Sequence, residues 1–458
     1  MDAPTGTLEA GLRHQATRRH AAGRRFTLRT RFAIEMAFAL AWVALSTYLA
    51  LPWIDDLDRL IGPIPGWLSI LGIALIPGYL NAHLLAALLL DRPTPLPGPS
   101  ELDFPPLSVL VAAYNEEQRI ADTLGYVLDQ HYPGDLEVVV VDDGSEDGTA
   151  EIVTEIAAGT DHRIRLIRAP HGGKTAALNR GLAEADGALI ATVDADTRLS
   201  PGSLVRLASR LLIAPPDTVA AAGAVFVANP KQTLLSREQD WDYFLGIASI
   251  KRQQGLLQGT LVAQGAFSMY DAHSLKQVGG WPDAIGEDIV LTWAFLSDGE
   301  RVSYEPTAIA FTEAPTHLGA YARQRRRWAR GMIEGLRAYG FAILRRHRLY
   351  SHSVFVDFLF PYVDLCYCFV FLPGVVLALT GNFAIVGPMT LAVLPLNLLI
   401  ASVMYVRSRS AFRAIGMPVE PIHNMLGFAV YITTYQVLAS PISVSGYLLE
   451  LFHAPRRW

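Results

Sequence analysis

A chain of 458 residues that is 51% hydrophobic and only 18% charged, with a mean hydropathy of +0.27, is too apolar for an ordinary soluble enzyme and long enough for more than one domain. Its net charge of −5 gives no global attraction for nucleic acid, so nucleic acid is not expected as a partner and any basic character must be local. The two cysteines, Cys366 and Cys368, sit in an apolar stretch without zinc-type companions and read as packing residues, not as a disulfide framework.

The chain opens with a basic leader, residues 1–31, carrying Arg13, Arg18, Arg19, Arg24, Arg25, Arg29 and Arg31. Residues 32–90 hold two apolar runs of span length, Phe32 to Ile54 and Trp67 to Leu90, separated by a loop with Asp55, Asp56 and Asp58. This charge asymmetry predicts a cytoplasmic N-terminus, and with two spans the chain returns to the cytoplasm. The leader is too long and the first run too extended for a cleaved signal peptide. Residues 351–458 supply later runs near Val354 to Thr380, Phe383 to Val406 and Met425 to Phe452, making about five spans. Five would put the C-terminus outside, against which Arg456 and Arg457 count; "YVRSRSAFR", Tyr405 to Arg413, reads as a cytoplasmic loop.

Between these ends lies a polar segment, residues 91–350, opened by the proline-stiffened "DRPTPLPGPS". "LSVLVAAY" and "LEVVVVDD" are short β-branched runs, each followed by a helical pattern, and "RIRLIRAP", "ALIATVDADT" and "VAAAGAVFVAN" add further strands. The alternation predicts parallel βαβ units and an open α/β sheet.

Ligands of such sheets bind beyond the carboxyl ends of the strands, where the polar residues of this sequence gather. Tyr114, Asn115 and Glu116 end the first strand, and Asp142, Asp143 and Gly144 the second; these suit a ribose or base, and equally a turn that caps the next helix. "HGGKTAALNRGL" places flexible glycines before Lys174, a cation suited to a diphosphate, without the spacing of a Walker A loop. Asp194 and Asp196, at i and i+2 after an apolar strand, offer two hard oxygen ligands for Mg²⁺ or Mn²⁺. "GEDIVLTWAFLSDG" places Glu287 and Asp288 at the start of a helical run, where acids also merely answer the macrodipole. In "YARQRRRWARGM", Gln324, Arg327 and Trp328 share one helix face, able to hold a diphosphate and stack a sugar. A basic helix on anionic lipid, with Arg323, Arg325, Arg326 and Arg330, is the competing reading. Asp357 and Asp364, acids within an apolar run, are functional candidates, although Asp357 equally fits an interface position.

D-D-G-S, D-x-D, the E-D pair and Q-x-x-R-W, in that order between membrane segments, resemble the processive, inverting family 2 glycosyltransferases of GT-A type, which include cellulose, chitin, hyaluronan and poly-N-acetylglucosamine synthases. "DYFLGIASIKRQQ" and the G-E-D form most resemble the bacterial poly-β-1,6-N-acetylglucosamine synthases, with Gly286 departing from the commoner Thr. The resemblance implies a UDP-sugar donor, a growing β-linked polysaccharide as acceptor, and a bacterial inner membrane crossed several times with the catalytic domain cytoplasmic. It also allows a small membrane partner subunit. It implies Asp288 as general base with Glu287 beside it, and Asp196 and Asp194 at the metal. Tyr114, Glu116, Asp142, Lys174 and Asp194 match donor-contacting positions. Gln324, Arg327 and Trp328 match the family's helix at the acceptor end, with Gln324 and Arg327 also counted as donor-binding and Trp328 under the terminal sugar, and Gly265, within "VAQGAFSMY" (Val262 to Tyr270), falls in the acceptor-side loop. A non-processive enzyme acting on a lipid carrier remains an alternative, as does a cellulose-, hyaluronan- or chitin-type synthase. A transporter with a degenerate nucleotide domain is disfavoured, because none of the acids is missing.

Overall fold

The computed structural model describes residues 26–92, 94–160, 163–387, 393–414 and 424–455. They fall into two compact units: residues 93–229 with 258–313, and residues 26–92 with 230–257 and 314–458. Most of the leader arginines, together with Arg456 and Arg457, lie outside the described residues.

The first unit is built on an eight-stranded sheet in the order β3-β2-β1-β4-β7-β6-β8-β5. Its strands are β1 (Leu107–Ala113), β2 (Leu136–Asp142), β3 (Arg163–Arg168), β4 (Leu189–Val193), β5 (Arg198–Leu199), β6 (Thr218–Val227), β7 (Phe267–Asp271) and β8 (Arg301–Thr312). β1 pairs in parallel with β2 and β4, and β2 with β3. Val109, Val111, Val139 and Val140 are fully buried, as helix-covered parallel strands require. The intervening helices are α1 (Ile120–Leu128), α2 (Thr149–Ala158), α3 (Lys174–Glu184), α4 (Ser203–Leu212), α5 (Ala272–Gln277) and α6 (Glu287–Asp298). In α1, Ile120, Thr123, Leu124 and Val127 form the buried stripe, the i, i+3, i+4, i+7 pattern of a helix laid on a sheet.

The five strands read from sequence are β1, β2, β3, β4 and β6, but the sheet is mixed. β7 runs antiparallel between β4 and β6, so "VAQGAFSMY" is a loop only as far as Ala266 and then becomes a central strand. β8 runs parallel to β6 with a register jump, Glu305 opposite Gly223 and Ile309 opposite Ala224. Pro306 falls within the jump; lacking an N–H, it could not have joined a regular ladder there.

In the second unit, four helices among the described residues are long and apolar enough to cross a membrane: Leu28–Ile61, Pro63–Leu90, Ser351–Leu379 and Met425–Leu451. The first begins four residues before Phe32 and takes in Arg29 and Arg31. The Phe383–Val406 run is interrupted by residues outside the described set, after which Val393–Ala414 is one helix. Tyr405–Arg413 is therefore helical and not a loop: the stretch contains neither glycine nor proline after Pro395, so the helix continues. Cys366 packs with Ile54, Leu57 and Ile70, and both thiols are free. Asp364 accepts from Ser440 Oγ and from Tyr447 OH, each at 2.7 Å, which satisfies a buried acid shared between two apolar helices.

Candidate active site

The acid-bearing ends of the parallel strands are held by turns whose geometry follows from their residues. Asn115, just past β1, adopts the left-handed conformation (φ 55°) that Asn tolerates better than most side chains. Its N–H donates to Ser145 Oγ at 2.9 Å and its Oδ1 accepts from Glu146 N–H at 2.9 Å, which ties the β1 end to the β2 turn. Asp142 accepts from Ser145 N–H at 3.1 Å, so it also serves the polar turn. Gly144 has φ +77°, and a Cβ there would stand 2.8 Å from the His171 backbone nitrogen; only glycine suits both demands.

Asp143 holds the next loop. It accepts from Gly172 N–H at 2.9 Å and Gly173 N–H at 2.8 Å and lies 2.9 Å from His171 Nδ1. This sets two exposed rings face to face, Tyr114 and His171, with centroids 4.3 Å apart. It also fixes the start of α3, where Lys174 Nζ reaches Asp194 Oδ1 at 2.5 Å and Glu287 Oε1 at 3.7 Å. Burial alone would lower the Lys174 ammonium, but Asp194, Glu287 and Asp288 outweigh it and its pKa is raised, so it stays charged.

Asp288 lies beside this cation. Its Oδ2 faces Gly265 N–H at 3.3 Å and its Oδ1 accepts its own neighbour's N–H, from Ile289, at 2.8 Å. The apolar run that follows holds the loop bearing Gly265. Trp293, fully buried, donates to Leu261 O at 3.0 Å, and Thr292 Oγ1 accepts from Ala263 N–H at 2.8 Å. Tyr270 OH and Gln264 Nε2 complete the attachment, to Ala263 O and Gly223 O, each at 2.9 Å. A Cβ on Gly265 would come within 2.7 Å of Lys174 Nζ, so the loop backbone approaches the cation as closely as a chain can.

Asp196 accepts from Thr312 Oγ1 at 3.1 Å. Burial, with like charge from Asp194 and Glu116, pushes its carboxyl up to about 6. Arg119 bridges Glu116 at 3.1 Å and Glu313 at 3.2 Å. An acid pair whose charges crowd each other is a donor set that a divalent cation would relieve, and the hard oxygens suit Mg²⁺ or Mn²⁺. Among the described residues no group of three or more His, Cys, Asp or Glu is arranged to hold a metal unaided.

The structure thus gathers Lys174, Asp194, Gly265, Glu287 and Asp288 into one cluster, joined through neighbouring turns to Tyr114, Glu116, Asp142 and Asp196. Arg119, His171, Thr312 and Glu313 were not found from sequence. Glu313 directly follows β8, and recognising that strand would have added one more acid at a strand tip. Gln324, Arg327 and Trp328 belong to the second unit, on the helix Leu318–Gly335; Arg327 is exposed and the other two are half-buried. The lipid reading fails for two of the helix's other arginines, which are buried and ion-paired: Arg325 with Asp242 at 2.6 Å and Arg330 with Glu450 at 3.1 Å.

The mixed sheet, with acids at its strand tips and the half of parallel strands β1 to β4, defines a GT-A architecture. Residues 108–279 match the profile of Glycosyl transferase family 2. A poly-beta-1,6-N-acetyl-D-glucosamine synthase of Staphylococcus epidermidis is 30% identical over 266 residues, 57% of this chain and 64% of that protein. An N-acetylglucosaminyltransferase of Sinorhizobium fredii is 34% identical over 237 residues, 49% of this chain and 57% of that protein. The chain thus covers less than two thirds of the length of these relatives. The solved mannosyltransferase PcManGT from Pyrobaculum calidifontis, in complex with GDP-Man and Mn²⁺, superposes with a TM-score of 0.54 at 18% identity, over 94% of this chain and 100% of that one, a likeness of fold.

Proposed function

We propose that the chain is a membrane-embedded inverting glycosyltransferase that polymerises UDP-N-acetylglucosamine into a β-linked polysaccharide and passes it across the bacterial inner membrane, with residues 91–350 as its cytoplasmic catalytic domain. The observation that carries the chemistry is the Lys174 cluster, where residues from four separate motifs converge within hydrogen-bond or ion-pair reach. Asp288 takes the proton of an acceptor hydroxyl as its oxygen attacks the anomeric carbon; the bond to UDP breaks on the opposite face, so an α-linked donor gives a β-linkage. Glu287 keeps Lys174 charged and beside the base. Lys174 and Asp194 orient the donor diphosphate, while Tyr114, Glu116 and Asp142 hold the nucleoside end. Mg²⁺ or Mn²⁺ bound by Asp196 and Asp194 would supply charge neutralisation on the leaving diphosphate. Gly265 lies beside the base on the acceptor side, and the family resemblance assigns Trp328 to the acceptor's terminal sugar and Gln324 and Arg327 to the diphosphate.

The sugar assignment is supported by the named relatives, and the membrane assignment by the four apolar helices. Purified protein in detergent or liposomes, given a panel of UDP-sugars and then assayed for product size and linkage, tests the reading. A long β-linked polymer from UDP-N-acetylglucosamine alone is the expected product. A short lipid-linked glycan would replace polymerisation with a carrier reaction. Polymer from UDP-glucose only, or only with UDP-glucuronate added, would overturn the sugar assignment.

A further inference from the structure

Within the second unit, the helix Leu318–Gly335 carries a buried ionic centre beside the half-exposed Trp328. Arg325 lies between two aromatic rings of its own helix, its guanidinium carbon 4.2 Å from the Trp328 ring centroid and 5.0 Å from that of Tyr321. The spacing i−4 and i+3 places both rings on its face of the helix. Its charge is answered by Asp242 at 2.6 Å, from the π-helical turn Asp242–Ala248. Both partners are almost wholly buried, with side chains 7% and 1% exposed, so this pair is not a solvated contact that exchanges freely. Tyr243, next to Asp242, approaches the Trp328 ring, with centroids 6.3 Å apart.

A planar guanidinium held at one point by a carboxylate has little freedom left, and a ring stacked upon it inherits that restriction. We propose that Arg325, locked by Asp242, is a positioning residue that fixes the plane of the Trp328 indole and so presets the platform on which the acceptor sugar stacks. This deepens the functional reading above and rests on its assignment of Trp328. The energetic logic is preorganisation: an indole already in place need not be ordered when a flexible glycan arrives.

The test uses the full-length enzyme in detergent with a short β-linked N-acetylglucosamine oligomer as acceptor. Arg325→Lys keeps a charge opposite Asp242 and removes the flat stack. It is expected to raise the acceptor KM about tenfold while kcat changes by less than twofold; Arg325→Met should do at least as much. With 5-fluorotryptophan incorporated, the ¹⁹F resonance that disappears in Trp328→Phe should shift or broaden in Arg325→Lys and Asp242→Asn. It should stay put in Arg330→Met, which breaks the other buried ion pair of the same helix. Should Arg325→Met fail to fold, Arg325→Lys and the resonance decide. A wild-type acceptor KM and an unmoved resonance in Arg325→Lys, with the acceptor KM raised in Trp328→Ala, would overturn the positioning role and leave the platform standing. An unchanged acceptor KM in Trp328→Ala would remove the platform itself.

Discussion

The Lys174 cluster of the sheet unit and the Arg325 cluster of the helical unit are built from the same ingredients to opposite ends. Each sets one cation against carboxylates at contact distance. Lys174 and Asp194 remain about one third exposed, Asp288 is only half-buried, and the backbone opposite is a glycine whose missing side chain lets the loop close on Lys174. Arg325 and Asp242 are sealed between aromatic rings and helices, and Glu238 beside them is 1% exposed with no hydrogen-bond partner for either oxygen among the described residues. An open ionic centre exchanges water for ligand cheaply and earns its keep in binding; a sealed one has already lost its water, and disturbing it is felt as instability.

Four substitutions sharpen or break that contrast. The largest effect is expected from Asp196→Asn: donor turnover abolished with melting temperature nearly unchanged, and the same loss in wild type under excess chelator, restored by Mn²⁺ or Mg²⁺. Full turnover in chelator would remove the metal from the scheme. Next comes a sealed pair. Asp91 and Arg252, both buried in the helical unit, form an ion pair, and Asp91→Ala strands the guanidinium at a cost of about 3–5 kcal/mol, to be read from denaturant or thermal unfolding in detergent. Stability within 1 kcal/mol of wild type would show that the pair is not sealed.

Third, Asp288→Asn should lower transfer at least about a hundredfold, equivalent to about 2.7 kcal/mol of barrier, with UDP binding by calorimetry and the melting temperature preserved. Near-normal turnover would exclude it as the base. The smallest is a pH effect. Burial, with Asp242 adding like charge and Arg325 opposing, pushes Glu238 up to about 8 from a usual 4.5, with Tyr321 also close by. Its folded value is the higher one, so the native state favours the protonated form, and ionisation costs stability that grows from pH 4.5 and levels off above pH 8. Wild type should therefore lose about 2 kcal/mol between pH 6 and 7.5 relative to Glu238→Gln, in which that term is absent. Parallel stability curves for the two proteins would count against it.

The same contrast explains what could be read from the sequence. β-Branched runs ending in acids announce buried parallel strands with chemistry at their tips, so β1, β2, β4 and the residues beyond them were legible. β7, "FSMYD", contains no β-branched residue, and β8 contains Pro306, which reads as a break; both owe their strand form to the neighbours they pair with. Glu313 and Thr312 were lost along with β8. In the helical unit, charge counts treat every arginine as a surface group. Which of Arg323, Arg325, Arg326 and Arg330 turns inward depends on Asp242, Ser445 and Glu450, partners remote in sequence that no local pattern marks.

The placement of β7 also orders events in time. Strands β1 to β4 emerge from the ribosome early and can pair as a parallel half-sheet, but the open edge of β4 waits for a strand that begins only at Phe267. The helical stretch 230–257 must be synthesised in between. Until β7 arrives, β4 offers an unpaired ladder to any passing chain. Slowing translation between Asn229 and Phe267 should therefore lower the yield of correctly assembled, detergent-extractable protein more than an equal pause after β8.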